Sequence, residues 1–275
     1  MNVLISADME GISGVTSPAD VNPGTPGWDH FRKIMTADVN AAVAGFYEAG
    51  ARNIVVNDSH ANMHNVVVDL LDPRATLISG RHKKHCMVEG VTKSTDAVAF
   101  IGYHTAAGQQ GIMSHTYSGD IYNAVWLNEE ICSEGYMNAL FAAELGVPVV
   151  LVSGDDLTIE DAKRYAPDAG FATVKRCVDR FTAECIVPEK SFEIIKSAAH
   201  DGLSRLHKPE PLKGPFTFRI EFAAANQVIA ATHIPGVNQT GTREATYTFD
   251  TMEKALRCFE AVTILGNTSR DAVYG

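Results

Sequence analysis

Asp8 and Glu10 stand two residues apart at the end of an apolar run, Val3-Leu4-Ile5-Ser6-Ala7. Alternate side chains of an extended chain share a face, so the two carboxylates project together. Two acids so placed repel each other unless protons or cations intervene. Three further apolar runs end in residues that can hold a cation. Asn53-Ile54-Val55-Val56-Asn57 leads into Asp58-Ser59-His60, Asp96 to Ile101 into Gly102-Tyr103-His104, and Pro148 to Val152 into Ser153-Gly154-Asp155-Asp156. Imidazole mixed with carboxylate suits Zn²⁺, Mn²⁺ or Co²⁺ in preference to Ca²⁺ or Mg²⁺. The acids outnumber what one ion requires, which points to a pair of ions about 3.5–4 Å apart. Two divalent cations are balanced by three carboxylates and a hydroxide, the near-neutrality that a partly buried site requires.

Other groups carry less. His60 and His64 have one-turn spacing but no intervening Glu, so H-E-x-x-H is absent. His82 and His85 lie in the basic run Arg81-His82-Lys83-Lys84-His85, which reads as a solvated loop ahead of a substrate-anion contact. Gly11-Ile12-Ser13-Gly14 has neither phosphate-loop pattern, and two acids precede it. The five cysteines (86, 132, 177, 185 and 258) form no C-x-x-C pair. They read as reduced thiols of a cytoplasmic protein, not as a disulfide framework or a thiolate zinc site.

A parallel sheet is the element that could bring these strand ends together, because ligands of open α/β sheets sit beyond the carboxyl ends of the strands. The pattern between the runs agrees. A helix is expected from about His30 to Ala49, with apolar residues near the 3.6 period and Gly50 as its stop. A Pro/Gly-rich loop, Ser17 to Gly27, reads as a lid or subunit contact, and 61–72 is weakly helical. Ile121 to Leu127 and Glu130 to Cys132 read as a hairpin turning at Asn128-Glu129. Ser133 caps a helix to Leu145, and Thr158 opens a short helix with a capping-box-like Asp161. Pro188 to Leu206 reads as an amphipathic helix, Phe216 to Phe222 and Ala245 to Phe249 as antiparallel strands, and Met252 to Leu265 as a last helix. The expected fold is α/β, a mostly parallel Rossmann-like three-layer sheet flanked by helices over 1–190. A smaller α+β domain over 191–275 is expected to contribute to assembly.

The chain has 275 residues with 45% hydrophobic and 20% charged content, enough to fill a core. Its net charge of -10 argues against nucleic-acid and anionic-membrane partners, which require a basic footprint. No apolar run approaches the roughly 18 residues of a membrane span.

Taken in order, Ser6-Ala7-Asp8-Met9-Glu10-Gly11, Asn57-Asp58-Ser59-His60, Gly102-Tyr103-His104, Met113-Ser114-His115 and Glu134-x-x-x-Asn138-Ala139 resemble the DppA-type D-aminopeptidases, peptidase family M55. Val152 to Asp156, Ile220 to Ala223 and Pro235-Gly236 continue the resemblance over nearly the whole chain. It implies a dinuclear zinc hydrolase that releases N-terminal, D-configured residues from short peptides or aminoacyl amides. It puts the metal ligands on Asp8, Glu10, His60, His104 and Glu134, with Asp8 bridging, and a catalytic base or nucleophile on His115. It also implies a ring-like homodecamer. Without it, Glu134 reads as a first-turn acid favoured by the helix dipole. The competing readings are an amidohydrolase for an aminoacylated metabolite, a metallophosphoesterase, and a ring-forming scaffold with a structural metal.

Overall fold

The computed structural model describes residues 1–270. The strands are β1 (Asn2–Ala7), β2 (Asn53–Asp58), β3 (Ala75–Ile78), β4 (Ala97–Ile101), β5 (Tyr122–Leu127), β6 (Glu130–Ile131), β7 (Val149–Asp155), β8 (Gly170–Asp179), β9 (Thr182–Cys185), β10 (Phe216–Phe222), β11 (Asn238–Gly241) and β12 (Glu244–Phe249). The helices are α1 (Pro18–Val21), α2 (Pro26–Glu48), α3 (Glu134–Glu144), α4 (Asp156–Tyr165), α5 (Pro188–Ser204), α6 (Ala225–Ala231) and α7 (Met252–Thr268). Among the described residues no helix is long and apolar enough to cross a membrane.

A seven-stranded sheet runs β3-β2-β1-β4-β7-β8-β9, parallel except for the edge strand β9. From β1 the chain builds outward through β2 and β3, then returns to lay β4 on the other side of β1. The boundary between β1 and β4 is therefore the switch point at which a crevice opens. Strand period decides what β1 buries. Val3, Ile5 and Ala7 face the layer of α2 and α5, with Val39, Val43, Phe46, Ile195 and Ala199. Leu4 faces the opposite layer with Val98, Phe100 and Val152. Both faces are covered, which is why these strands read as continuous apolar runs.

The second sheet, β11-β12-β10-β5-β6, is antiparallel. Along β10 the buried residues alternate, Phe216, Phe218, Ile220 and Phe222, and they pack with Phe259 of α7 in the core shared with Leu4 and Phe100. Each such side chain contributes about 1.5–3 kcal/mol on burial.

The expected cut at 190/191 does not separate the two sheets. The hairpin β5–β6 is formed as expected, but it pairs with β10, so residues from before the cut complete the second sheet. Conversely, α5 packs on α2 and β8 of the first. A hairpin's sequence records its own turn, not the edge it will join. Other differences are local. Helix α2 starts earlier, at Pro26 behind the Thr25 cap. Residues 61–72 hold only a short 3₁₀ turn, Val68–Leu70. Asp155, not Thr158, caps α4. Strand β8 and its return β9 carry too many polar residues to stand out as a buried run.

Candidate metal centre

Asp8 leaves the end of β1, and the backbones of β1 and β4 close tightly there. Gly11 N donates to Gly102 O at 2.8 Å, and Asp8 N donates to Ile101 O at 2.8 Å. A Cβ on Gly11 would strike Tyr103 O, and one on Gly102, at φ +72°, would strike Asp8 O. The two glycines let two ligand-bearing strand ends meet. Beneath them, Ser6 Oγ lies 2.7 Å from both Tyr103 Oη and Ser59 Oγ, and Asn138 Nδ2 donates to Tyr103 Oη at 3.0 Å. This network ties β1, β2, β4 and α3 together under the site.

Each expected ligand arrives from a different element. His60 follows β2, where Asp58 accepts from Asn65 Nδ2 at 2.8 Å and from Val66 N at 2.7 Å, folding the loop back. His60 Nε2 donates to Val21 O at 2.9 Å, so Nδ1 points at Asp8 Oδ1 and Glu10 Oε2, 3.2 and 3.1 Å away. The loop at 17–27 thus contains α1, and through Val21 it orients a ligand. His104 Nδ1 donates to Thr105 O at 3.0 Å, which turns Nε2 toward Asp8 Oδ2 and Glu134 Oε2, both 3.4 Å away. Glu134 opens α3 behind the Ser133 cap, and its Oε1 accepts from Tyr117 N at 2.6 Å.

Asp8, Glu10 and His60 form one trio able to hold a cation, and Asp8, His104 and Glu134 form a second that shares Asp8. All five side chains are buried, from 2% to 7% exposed. Asp8 Oδ2, Glu10 Oε2 and His104 Nε2 are buried without a hydrogen-bond partner. Such atoms are costly to bury unless something else satisfies them. Three such ligand-type atoms, on Asp8, Glu10 and His104, fit a zinc centre, whose donors are imidazole nitrogen and carboxylate oxygen.

The electrostatics agree. Burial disfavours the charged imidazoles, yet Glu10 and Asp8 hold His60 well above its ordinary pKa, and Glu134 and Asp8 do the same for His104. Burial likewise disfavours the Asp8 carboxylate, but His104 and His60 bring its pKa down to about 2. The acids and imidazoles compensate one another's charge, the balance that cations would take over.

His115 stacks on His104 with ring centroids 4.2 Å apart and 9° between planes. Its Nδ1 donates to Met113 O at 2.8 Å, leaving Nε2 free, 3.9 Å from Glu134 Oε1. It also lies near Glu10 and His104 in a third trio able to hold a cation. A cleft of about 390 Å³ has Asp8, Glu10, His60, His115 and Glu134 on its walls.

The remaining candidates are elsewhere. Asp155 accepts from Thr158 N and Ile112 N, both at 2.7 Å, and Asp156 accepts from Cys177 N. Both acids serve the backbone, and Asp155 anchors the segment that leads to His115. His64 pairs with Ser79, and His85 with Glu253.

The sequence reading missed Lys175. Fully buried on β8, its Nζ donates to Glu10 O at 2.6 Å, Ile12 O at 2.9 Å and Val15 O at 2.6 Å. It pins the segment that carries Glu10. Burial lowers its pKa to about 8, with Asp155, Cys185, Asp38 and Glu10 working the other way. No local signal singled it out, because Thr173, Arg176 and Asp179 make the same strand polar.

Known proteins are similar in sequence and fold over nearly the whole chain. The family model for peptidase M55, D-aminopeptidase, matches residues 1–261. A D-aminopeptidase of Bacillus subtilis (strain 168) is 33% identical over 268 residues, covering 96% of this chain and 97% of that protein. Among solved structures, the Zn-dependent D-aminopeptidase DppA from Bacillus subtilis, described as a self-compartmentalizing protease, has a TM-score of 0.94 at 32% identity and covers 99% of both chains. With the family model matching residues 1–261 and a relative 33% identical over 96% of the chain, the chain belongs to peptidase family M55, the D-aminopeptidases.

Proposed function

We propose that this protein is a zinc-dependent aminopeptidase holding two ions per subunit, which cleaves the amide after an N-terminal D-amino acid of a short peptide. The observation that carries the two-ion reading is the pair of trios sharing Asp8, with three buried ligand atoms that make no hydrogen bond among the described residues. Asp8, Glu10 and His60 would hold one ion, and Asp8, His104 and Glu134 the other. When bound, zinc supplies Lewis acidity toward the scissile carbonyl and acidifies water near neutral pH.

The chain's own residues do the rest. Val21 O and Thr105 O fix the rotation and tautomer of His60 and His104. Tyr117 N restrains Glu134. His115, with Nδ1 committed to Met113 O, has a free Nε2 at the cleft wall to take a proton and return it to the leaving amine.

We also propose that the chain self-associates into a ring-like homo-oligomer, a decamer as the family resemblance implies. The relative described as self-compartmentalizing supports this, as do the exposed apolar side chains Val178, Phe181, Val187 and Ile229.

The test is a panel of D- and L-configured aminoacyl amides and dipeptides, assayed alongside metal content and mass in solution. Cleavage of D-substrates by a protein carrying two zinc ions per chain is expected. Equal rates on both enantiomers would remove the stereochemical part, and one ion per chain would remove the dinuclear part.

A further inference from the structure

The metal cleft does not end at the metal ligands. A second cavity of about 430 Å³ adjoins it, and Met63, Arg81, Cys86, Tyr117 and Thr263 line both. These five residues form a wall common to both spaces. Beyond this shared wall the second cavity runs toward Ile264 of α7. Tyr117 Oη, buried without a hydrogen-bond partner, belongs to that wall.

The basic run at 81–85 supplies the charge. Lys83 Nζ donates to Asn57 Oδ1 at 2.7 Å and to Asp58 O at 2.5 Å. Lys84 Nζ pairs with Glu253 at 2.7 Å, and His85 Nε2 lies 3.3 Å from the same carboxylate. These three residues are committed to the fold. Arg81 makes no hydrogen bond or ion pair among the described residues. Among the described residues it is the only lysine or arginine on the wall of the metal cleft. Glu260 also faces the second cavity, but the groups that act on it are Cys86, Arg257 and Glu89, not Arg81.

We propose that Arg81 binds the C-terminal carboxylate of the substrate, and that the adjoining cavity takes the side chain of the leaving residue. Resting on the peptidase reading above, this narrows the substrate class to dipeptides with a free carboxyl end and an apolar second residue. The planar guanidinium donates two parallel N–H groups to the two oxygens of a carboxylate, and a neutral amide offers it only one oxygen. A longer or C-terminally blocked peptide leaves Arg81 unmatched.

The experiment compares D-alanyl-D-leucine with D-alanyl-D-leucine amide on zinc-loaded wild type, Arg81→Gln and Arg81→Lys. Wild type is expected to favour the free acid in kcat/KM by about tenfold to a hundredfold, the range for a charge-assisted bidentate pair. Arg81→Gln is expected to bring that ratio near unity, chiefly through KM on the acid, and Arg81→Lys to fall between. Acid and amide cleaved alike by wild type, or lowered alike by Arg81→Gln, would overturn the role of Arg81 while leaving the peptidase reading intact. A zinc-loaded wild type that cleaves neither compound would overturn both.

Discussion

The metal cradle and the cavity beside it are built on opposite plans. In the cradle, His60, His104 and Glu134 are each held by a backbone group, from Val21, Thr105 and Tyr117, and the site sits where three strand ends and a helix N-terminus converge. In the neighbouring cavity Arg81 has no partner among the described residues, and Ile264 stands half exposed on α7. Precise geometry is needed where charge develops in the reaction, so those side chains are braced. A side-chain pocket needs only shape and one cation, so it is left to a loop and a helix face. The difference teaches that the chemistry belongs to the parallel sheet, whereas selectivity belongs to what is laid over it.

That contrast can be broken most severely at Asp8. Asp8→Ala removes the group common to both trios. Bound zinc, read by elemental analysis, and hydrolysis should both fall to background. Retention of one full equivalent would show that the two trios do not depend on a shared carboxylate. The next largest effect is expected at His115. His115→Ala should lower kcat by about 10²–10⁴-fold, the usual contribution of a positioned acid–base group, with zinc content kept. Zinc loss in that variant would make it a ligand, which its place in the third trio leaves chemically open.

A smaller, structural effect tests the bracing. Lys175→Met leaves Glu10 O, Ile12 O and Val15 O without their donor. It should cost about 3–5 kcal/mol, the range for breaking a buried charged group's interactions, and weaken zinc retention more than KM. Unchanged thermal stability would show that the segment holds itself. The smallest effect is expected at Asp38, under the same segment, where it accepts from Ser13 N at 3.0 Å. Burial raises its pKa to about 7 from 3.8, against the hydrogen bonds from Ser13 and the charge of Lys175. The folded state therefore holds this proton more tightly than the unfolded chain. Its contribution to stability is full below about pH 4 and is lost as pH rises through about 7. Asp38→Asn should flatten that part of the pH–stability curve, as followed by thermal melts between pH 5 and 8. An unaltered slope would place the proton elsewhere.

How far the residues could be read depends on how far apart their partners lie. Asp8 and Glu10 were legible because a two-residue period and a following glycine are local facts. His60 and His104 were legible because an apolar run ending in a ligand-type residue is also local. Glu134 was not, since an acid in the first turn of a helix is common for dipole reasons alone, and only the family resemblance singled it out. The parallel sheet was readable from β1, β2, β4 and β7, and the hairpin β5–β6 from its turn. The edge that hairpin joins was not, nor was the role of Lys175, whose acceptors lie at positions 10, 12 and 15.

By itself the sequence determined the strand ends, the donor types they carry, and so the class of cation they could hold. It could do so because propensity, period and ligand chemistry are properties of neighbouring residues. Only the tertiary structure decided that Lys175 underpins the loop, and that Arg81 stands beside the cleft unpaired among the described residues. Those facts depend on the order in which strands lie side by side, and that order is settled by burial of both sheet faces at once.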